Sequence, residues 1–323
     1  MGRYLIRRLL FFILVLVIVS LFTFIIFVKL PSVDPAIRAA GRHPSAQQLA
    51  VIRHKFGLDR PLYVQYWNFA KGLIPWPGLF LNKQVYFSYG SHVPVIEEMK
   101  SRIPVTLMLT VGASILWLAM GIPIGIISAI RPRTAIDRGA TLFALFGVSA
   151  PTFWLGLVLL YVFWFKLGWL PSSGIPANQT VIQAALHGTF ILPWFVLALT
   201  TAAFYSRMVR GNLMESMTED YIRTARAKGM SERRVIFKHG LRSALTPVVT
   251  MFGMDVAFLL GGAVVVEVVF QLPGLGLYAI TALTVNDFPP VMAVTVVGAV
   301  FIVVANLIVD VVYAFLDPRV RYT

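Results

Sequence analysis

Cysteine is missing from all 323 residues, and acidic side chains are few, 14 against 28 Lys and Arg. Without thiols there is no disulfide, no thiolate nucleophile and no cysteine-ligated zinc or iron–sulfur centre, so packing alone must hold any part of the chain that lies in water. Charge of either sign is thin: it makes up 13% of the sequence, where a soluble domain carries about 25%. Hydrophobic residues reach 58%, and mean hydropathy is +0.78. Such a composition trades water-facing for lipid-facing surface, which makes this an integral membrane protein.

Chemical motifs are missing too. No Gly-x4-Gly-Lys-[Ser/Thr] loop occurs, so the chain does not itself hold ATP in the P-loop manner. There is no His-Glu-x-x-His and no Gly-x-Ser-x-Gly nucleophile elbow. The five histidines, His43, His54, His92, His187 and His239, are too scattered for a ligand cluster, and no cofactor or metal is expected in this chain. These absences count against an intramembrane enzyme.

What is present is a set of apolar runs. Crossing the hydrocarbon core takes about 20 mainly apolar residues. Six segments qualify: Leu9–Val28, Pro104–Ile130, Gly139–Phe165, Phe190–Met208, Pro247–Phe270 and Pro290–Leu316. The first follows Arg3, Arg7 and Arg8, is too long for a cleaved signal core and lacks a small-x-small site after it, so it reads as a retained signal anchor. The net charge of +14 could suggest nucleic acid, but its placement explains it. With the N-terminus inside, the inner segments hold 17 of the 28 basic residues, nine of them between Arg207 and Arg242, while the short outer loops hold only Lys166. Both termini are therefore expected in the cytoplasm.

The one sizeable outer unit is residues 31–103. Ser45-Ala46-Gln47-Gln48 has the form of a capping box, Leu49, Ile52 and Phe56 share a helical face, and Gly57 supplies a stop, so a short amphipathic helix is expected. Tyr63, Tyr66, Trp67, Phe69, Trp76, Phe80, Tyr86, Phe87 and Tyr89 then suit either an interfacial belt with a small core or a docking surface for a soluble partner.

Ionisable groups within spans are functional suspects by default. Asp255 lies well inside the fifth span, as an interhelical hydrogen-bonding group or as a lining of a pathway; Glu267 and Asp310 are expected at the membrane interfaces. Gly121-Ile122-Pro123-Ile124-Gly125 and Gly261-Gly262 permit close helix approach and a bend, with Gly261 and Gly262 also candidates for a gate.

The longest inner loop, 207–246, reads as helix, stop, helix. Glu219 and Asp220 place negative charge at a helix start, Tyr221 to Lys228 holds no breaker, Gly229 ends the run, and Ser231 is placed to cap a second helix from Glu232 to His239. About ten residues do not make a stable helix alone in water, so the first helix needs a surface to dock on. Tyr221, Thr224, Ala225 and Lys228 fall on one side of it, an aromatic knob beside small residues, as a helix-in-groove contact with another protein would want. A solvated basic loop remains the alternative reading of the spacing.

Tyr221-Ile222-Arg223-Thr224-Ala225-Arg226-Ala227-Lys228-Gly229 resembles the coupling loop, or EAA motif, of binding-protein-dependent ABC importer permeases, and most of all their dipeptide/oligopeptide (peptide/nickel) branch. Ala225 and Gly229 are kept, Arg223 and Thr224 take the first two places of Glu-Ala-Ala-x-x-x-Gly, and His239-Gly240-Leu241-Arg242 stands where the general motif has Ile-x-Leu-Pro. Further blocks are similar in order and spacing: Gly57-Leu58-Asp59-Arg60-Pro61, Arg102-Ile103-Pro104-Val105-Thr106-Leu107, Pro151-Thr152-Phe153-Trp154-Leu155-Gly156, Leu260-Gly261-Gly262-Ala263, Pro273-Gly274-Leu275-Gly276 and Leu316-Asp317-Pro318-Arg319. Leu73–Phe87 fits least well.

The resemblance implies an all-α integral membrane protein with six transmembrane helices and both termini cytoplasmic. Residues 1–30 would be the anchor helix, 31–103 the extracytoplasmic segment and 104–323 a five-helix permease core with its coupling loop. It implies a second homologous permease, two cytoplasmic ATPase subunits that bind ATP and Mg, and an extracytoplasmic solute-binding protein. Tyr221, Arg223, Thr224, Ala225, Lys228 and Gly229 would couple to the ATPase, and the cargo would be di- or oligopeptides, with nickel chelates, glutathione and oligosaccharides handled by similar proteins. An ion-coupled secondary carrier and a membrane scaffold or receptor are the competing classes.

Overall fold

The computed structural model describes residues 2–29, 36–37, 45–73 and 86–316. Among these the structure is helical, and the one β feature is an isolated bridge between Phe87 and Pro94. Helix α1 is Gly2–Phe24, extended by a wider turn over Ile25–Lys29. Two short helices follow, α2 (Ala46–Phe56) and α3 (Leu62–Lys71). The expected capping box on α2 forms in both directions, with Ser45 Oγ accepting from the Gln48 N–H and Gln48 Oε1 from the Ser45 N–H; Gly57, at φ 66°, closes the helix.

Helix α4, Val95–Ile130, has 36 residues and is about 54 Å long. It begins more than two turns before the Pro104 start expected from hydropathy. Helices α5 (Ala135–Ser149) and α6 (Thr152–Leu159, extended by a wider turn over Leu160–Lys166) replace the continuous Gly139–Phe165 span and meet at 102°. The cause is local: Pro151 pushes the preceding residue out of the helical region, and Ala150 has φ −78° and ψ 120°. After a short α7 (Val181–Leu186) comes α8, Ile191–Ser216. Helix α9 is Asp220–Ala227; α10 is Glu232–Ala244, whose middle, Val235–Gly240, is wound as a wider turn; α11 is Thr246–Leu260, bent from α10 by 48°.

The expected Pro247–Phe270 span is also interrupted. Helix α11 stops at Leu260, Gly262 takes φ 119°, and a six-residue α12 (Val264–Val269) follows. Helix α13, Leu275–Thr284, is apolar but too short to have been read as a span; α14 is Phe288–Leu316. Among the described residues four helices are individually long and apolar enough to cross a membrane, or up to six if each of the two bent pairs is one span.

The chain divides into two compact units. The first is Met1–Thr106 with Leu260–Val264 and Pro273–Val304. Its core is aromatic: Phe24 meets Tyr66 edge-on at 5.5 Å, Phe69 stacks at a tilt on Tyr86 at 5.6 Å, and the buried Tyr86 hydroxyl donates to the Phe69 carbonyl at 3.0 Å. Tyr63 and Trp67, by contrast, are exposed, so the expected aromatic series divides between core and surface; Trp76 and Phe80 lie outside the described residues. Beside the end of α2, His54 Nδ1 lies 2.9 Å from Asp59 Oδ2, and that bond holds the Asp59 carboxyl below its ordinary range. Gly262 belongs here: a Cβ on it would come within 2.8 Å of the Gly276 backbone, so close backbone approach and a positive φ both demand glycine.

The second unit is Leu107–Leu259 with Val265–Leu272 and Ala305–Thr323. Trp117 is fully buried, tilted on Tyr205 at 6.1 Å and edge-on to Phe252 at 5.9 Å, which joins α4, α8 and α11. The close approach expected of Gly121 and Gly125 is present: a Cβ at Gly125 would lie 2.6 Å from the Ser206 carbonyl of α8.

Candidate functional site

Helix α9 and its surroundings lie wholly in the second unit. Glu219 takes the extended N-cap conformation without a side-chain cap, Thr224 donates to the Asp220 carbonyl, and Arg223 pairs with Asp220 at 3.3 Å. The helix ends where expected: Lys228 is the C-cap and Gly229 has φ 72°. Nothing lies within 4 Å of a Cβ built on Gly229, so the backbone conformation alone requires glycine there.

One side of α9 is fastened to its own chain. Ile222, Ala225 and Val235 form a buried cluster bordered by Met217 and Met230. The expected common face of Tyr221, Thr224, Ala225 and Lys228 is therefore split. Tyr221, Arg223, Thr224, Lys228 and Gly229 are exposed, while Ala225 is 5% exposed and turned inward. Its small side chain lets α9 sit closely against Val235 of α10.

Three polar ties complete the fastening. The Ser216 hydroxyl donates to the Gly240 carbonyl at 3.1 Å, which spends its one proton, so the Tyr221 hydroxyl, 2.6 Å away, is the donor to Ser216 Oγ. Asn212 Nδ2 donates to the Ala244 carbonyl at 3.2 Å. Arg226 grips both oxygens of Glu232 at 3.1 and 2.7 Å. Ser231 sits at the N-cap of α10 but makes no capping bond with its side chain, contrary to expectation. Helix α9 is thus a short helix fastened to the end of α8 and to α10, with a basic, partly aromatic outer face.

A second constellation lies one and two-thirds turns before Ser216 on α8. Arg210 holds Asp137 through Nε to Oδ1 and Nη2 to Oδ2, while Ser128 Oγ and the Arg133 N–H also donate to that carboxylate. Asp137 is 6% exposed. Sequence reading passed over this group, although Thr134-Ala135-Ile136-Asp137 has the N-terminal pattern that marks a helix start, and Thr134 does cap α5.

Within the spans, Asp255 accepts a hydrogen bond from Tyr205 at 2.6 Å, the interhelical arrangement weighed for it. Glu267 is fully buried in the protein. Asp310 falls on α14, and its side chain lies outside the described residues. No group of three or more metal-binding side chains occurs among the described residues.

Comparison with known proteins gives a consistent picture. Residues 121–322 match the family described as "Binding-protein-dependent transport system inner membrane component", and residues 1–110 match the N-terminal part of such membrane components. The chain is 40% identical over 335 residues to the oligopeptide transport system permease protein AppB of Bacillus subtilis, and 39% identical over 322 residues to the glutathione transport system permease protein GsiC of Escherichia coli K12; both matches cover 100% of either chain. Among solved structures, the MetNI methionine ABC transporter in an inward-facing conformation matches with a TM-score of 0.54 at 21% identity, over 69% of this chain and 98% of that one. An amino acid ABC transporter matches with a TM-score of 0.51 at 18% identity, over 67% and 93%.

Proposed function

The chain belongs to the inner-membrane component family of binding-protein-dependent transport systems, and from that premise we propose that it forms half of a peptide path whose opening is driven through α9. As a member, it is a multi-pass inner-membrane permease subunit of an ABC importer, non-catalytic itself and served by ATPase and solute-binding partners. The finer reading has a second homologous permease beside it, two cytoplasmic ATPase subunits carrying ATP and Mg, six spans with both termini inside, and residues 31–103 receiving the binding protein. Asp255, Gly261 and Gly262 are its candidates for the path. Peptide cargo is carried over from the likeness to the oligopeptide permease; glutathione, itself a small peptide, is compatible with it.

The observation that carries the proposal is the asymmetry of α9. Its inner side is locked to α8 and α10 through Ile222, Ala225 and the Tyr221–Ser216–Gly240 chain, while Arg223, Thr224 and Lys228 are left to the outside. A partner that displaced α9 would therefore move the ends of two membrane helices with it. Mild solubilisation should bring down an ATPase and a second permease, and proteoliposomes of the whole assembly should import tripeptide only with ATP and binding protein. Uptake by this chain alone under an ion gradient would refute the proposal.

A further inference from the structure

Asp255 sits two-thirds of the way along the apolar helix α11. Among the described residues it has one hydrogen bond, from the Tyr205 hydroxyl to Oδ2, and no Lys, Arg or His is paired with it. Asp137, by comparison, takes an arginine on both oxygens. Tyr205 is fully buried and fixed by its packing on Trp117, so it holds one carboxylate oxygen in place and leaves the other open. The Asp255 side chain is only half-buried.

That open side cannot face lipid at low cost, because aspartate is too short to reach the interface from a helix interior. It faces water or protein. Phe252, three residues earlier, falls on the same side of α11 as Asp255, and its ring packs edge-on against Trp117. A fixed carboxylate with one open oxygen is a receptor for a compact cation.

We propose that Asp255, positioned by Tyr205, receives the α-ammonium group of a peptide crossing the membrane. The inference rests on the reading of this chain as half of a peptide path. An ammonium is the group that free peptides share whatever their side chains, so one such station serves a permease that must pass many sequences. Tyr205 is the positioning residue: it donates to Oδ2 and touches no cargo.

The test uses the whole importer in proteoliposomes. Dicyclohexylcarbodiimide, which attacks carboxyl groups in apolar surroundings, should label Asp255, and mass analysis would locate the adduct. Trialanine should slow that labelling about tenfold or more, the range for a hydrogen bond to a charged group, and N-acetyl-trialanine should not. Equal protection by both peptides, protection by neither, or no labelling of Asp255 would each overturn the proposal. In parallel, Asp255→Asn should lower trialanine uptake per folded molecule about tenfold or more, and Tyr205→Phe should lower it less. Uptake that falls only in proportion to the loss of folded protein would make Asp255 a packing residue. If the unsubstituted importer ignores trialanine, the peptide reading itself fails; if it imports trialanine and Asp255→Asn does so equally well, only this inference fails.

Discussion

Arg210 on α8 reaches Asp137 at the start of α5 and binds both of its oxygens, through Nε at 2.7 Å and Nη2 at 3.0 Å. With Ser128 from α4 on the same carboxylate, three helices meet at one buried charge. Removing one partner of such a pair leaves the other uncompensated, at about 3–5 kcal/mol when both are buried. The Arg210 side chain keeps 33% of its exposure, so Arg210→Ala should cost less, about 2–3 kcal/mol. Arg210→Lys keeps the charge but loses the fork and should recover part of that. Thermal melting of the purified protein in detergent, with Asp137→Asn completing a double-mutant cycle, measures the coupling; strictly additive losses would contradict it.

The Tyr221 hydroxyl is the outer end of a relay to the Gly240 carbonyl through Ser216. Tyr221→Phe keeps the ring and deletes one hydrogen bond, worth about 1 kcal/mol. If the relay stiffens α9, ATP should still be hydrolysed while uptake per ATP falls severalfold, and Ser216→Ala should behave alike. An unchanged ratio of uptake to hydrolysis in both variants would exclude this role.

Gly229 and Gly240 should respond to alanine for different reasons. At Gly229 the added methyl meets open space, and the left-handed backbone alone costs about 1–2 kcal/mol; leucine should be little worse than alanine. At Gly240, the last residue of the wider turn, φ is −67° and open to any residue, but the methyl would come within 2.9 Å of Met217 Sδ. Met217→Ala should therefore rescue Gly240→Ala and not Gly229→Ala. Retention of the ATPase partners during purification reads both.

What could be read along the chain was what neighbouring residues decide. The α2 cap at Ser45 and Gln48 and the stop of α9 at Gly229 are settled within a few positions, and both lie where the pattern put them. Hydropathy, by contrast, runs unbroken through Ala150 and Gly261, so a count of apolar residues could not see Pro151 turning the chain by 102° or Gly262 ending α11. Partners far apart were out of reach for another reason. Arg210 and Asp137 are separated by 73 positions, and no periodicity links them. The inward turn of Ala225 likewise depends on Val235, which the next helix supplies. The exposed half of the candidate site was legible, and its root was not.

Asp287, just before α14, ties residues 88–90 to the start of that helix. Its carboxylate is 4% exposed and accepts from the Ser88 hydroxyl and from the backbone N–H groups of Tyr89 and Gly90. Asparagine is nearly isosteric but turns an NH2 toward one of these donors, so Asp287→Asn should leave a buried donor unsatisfied and cost about 1–3 kcal/mol. The loss should be local. Residues 86–94 should open to protease in Asp287→Asn while association with the ATPase, which the proposal places on α9, is retained. Stimulation by the solute-binding protein should then fall if that segment helps receive it. Protease resistance equal to that of the unsubstituted protein would show that the carboxylate is not what holds this loop.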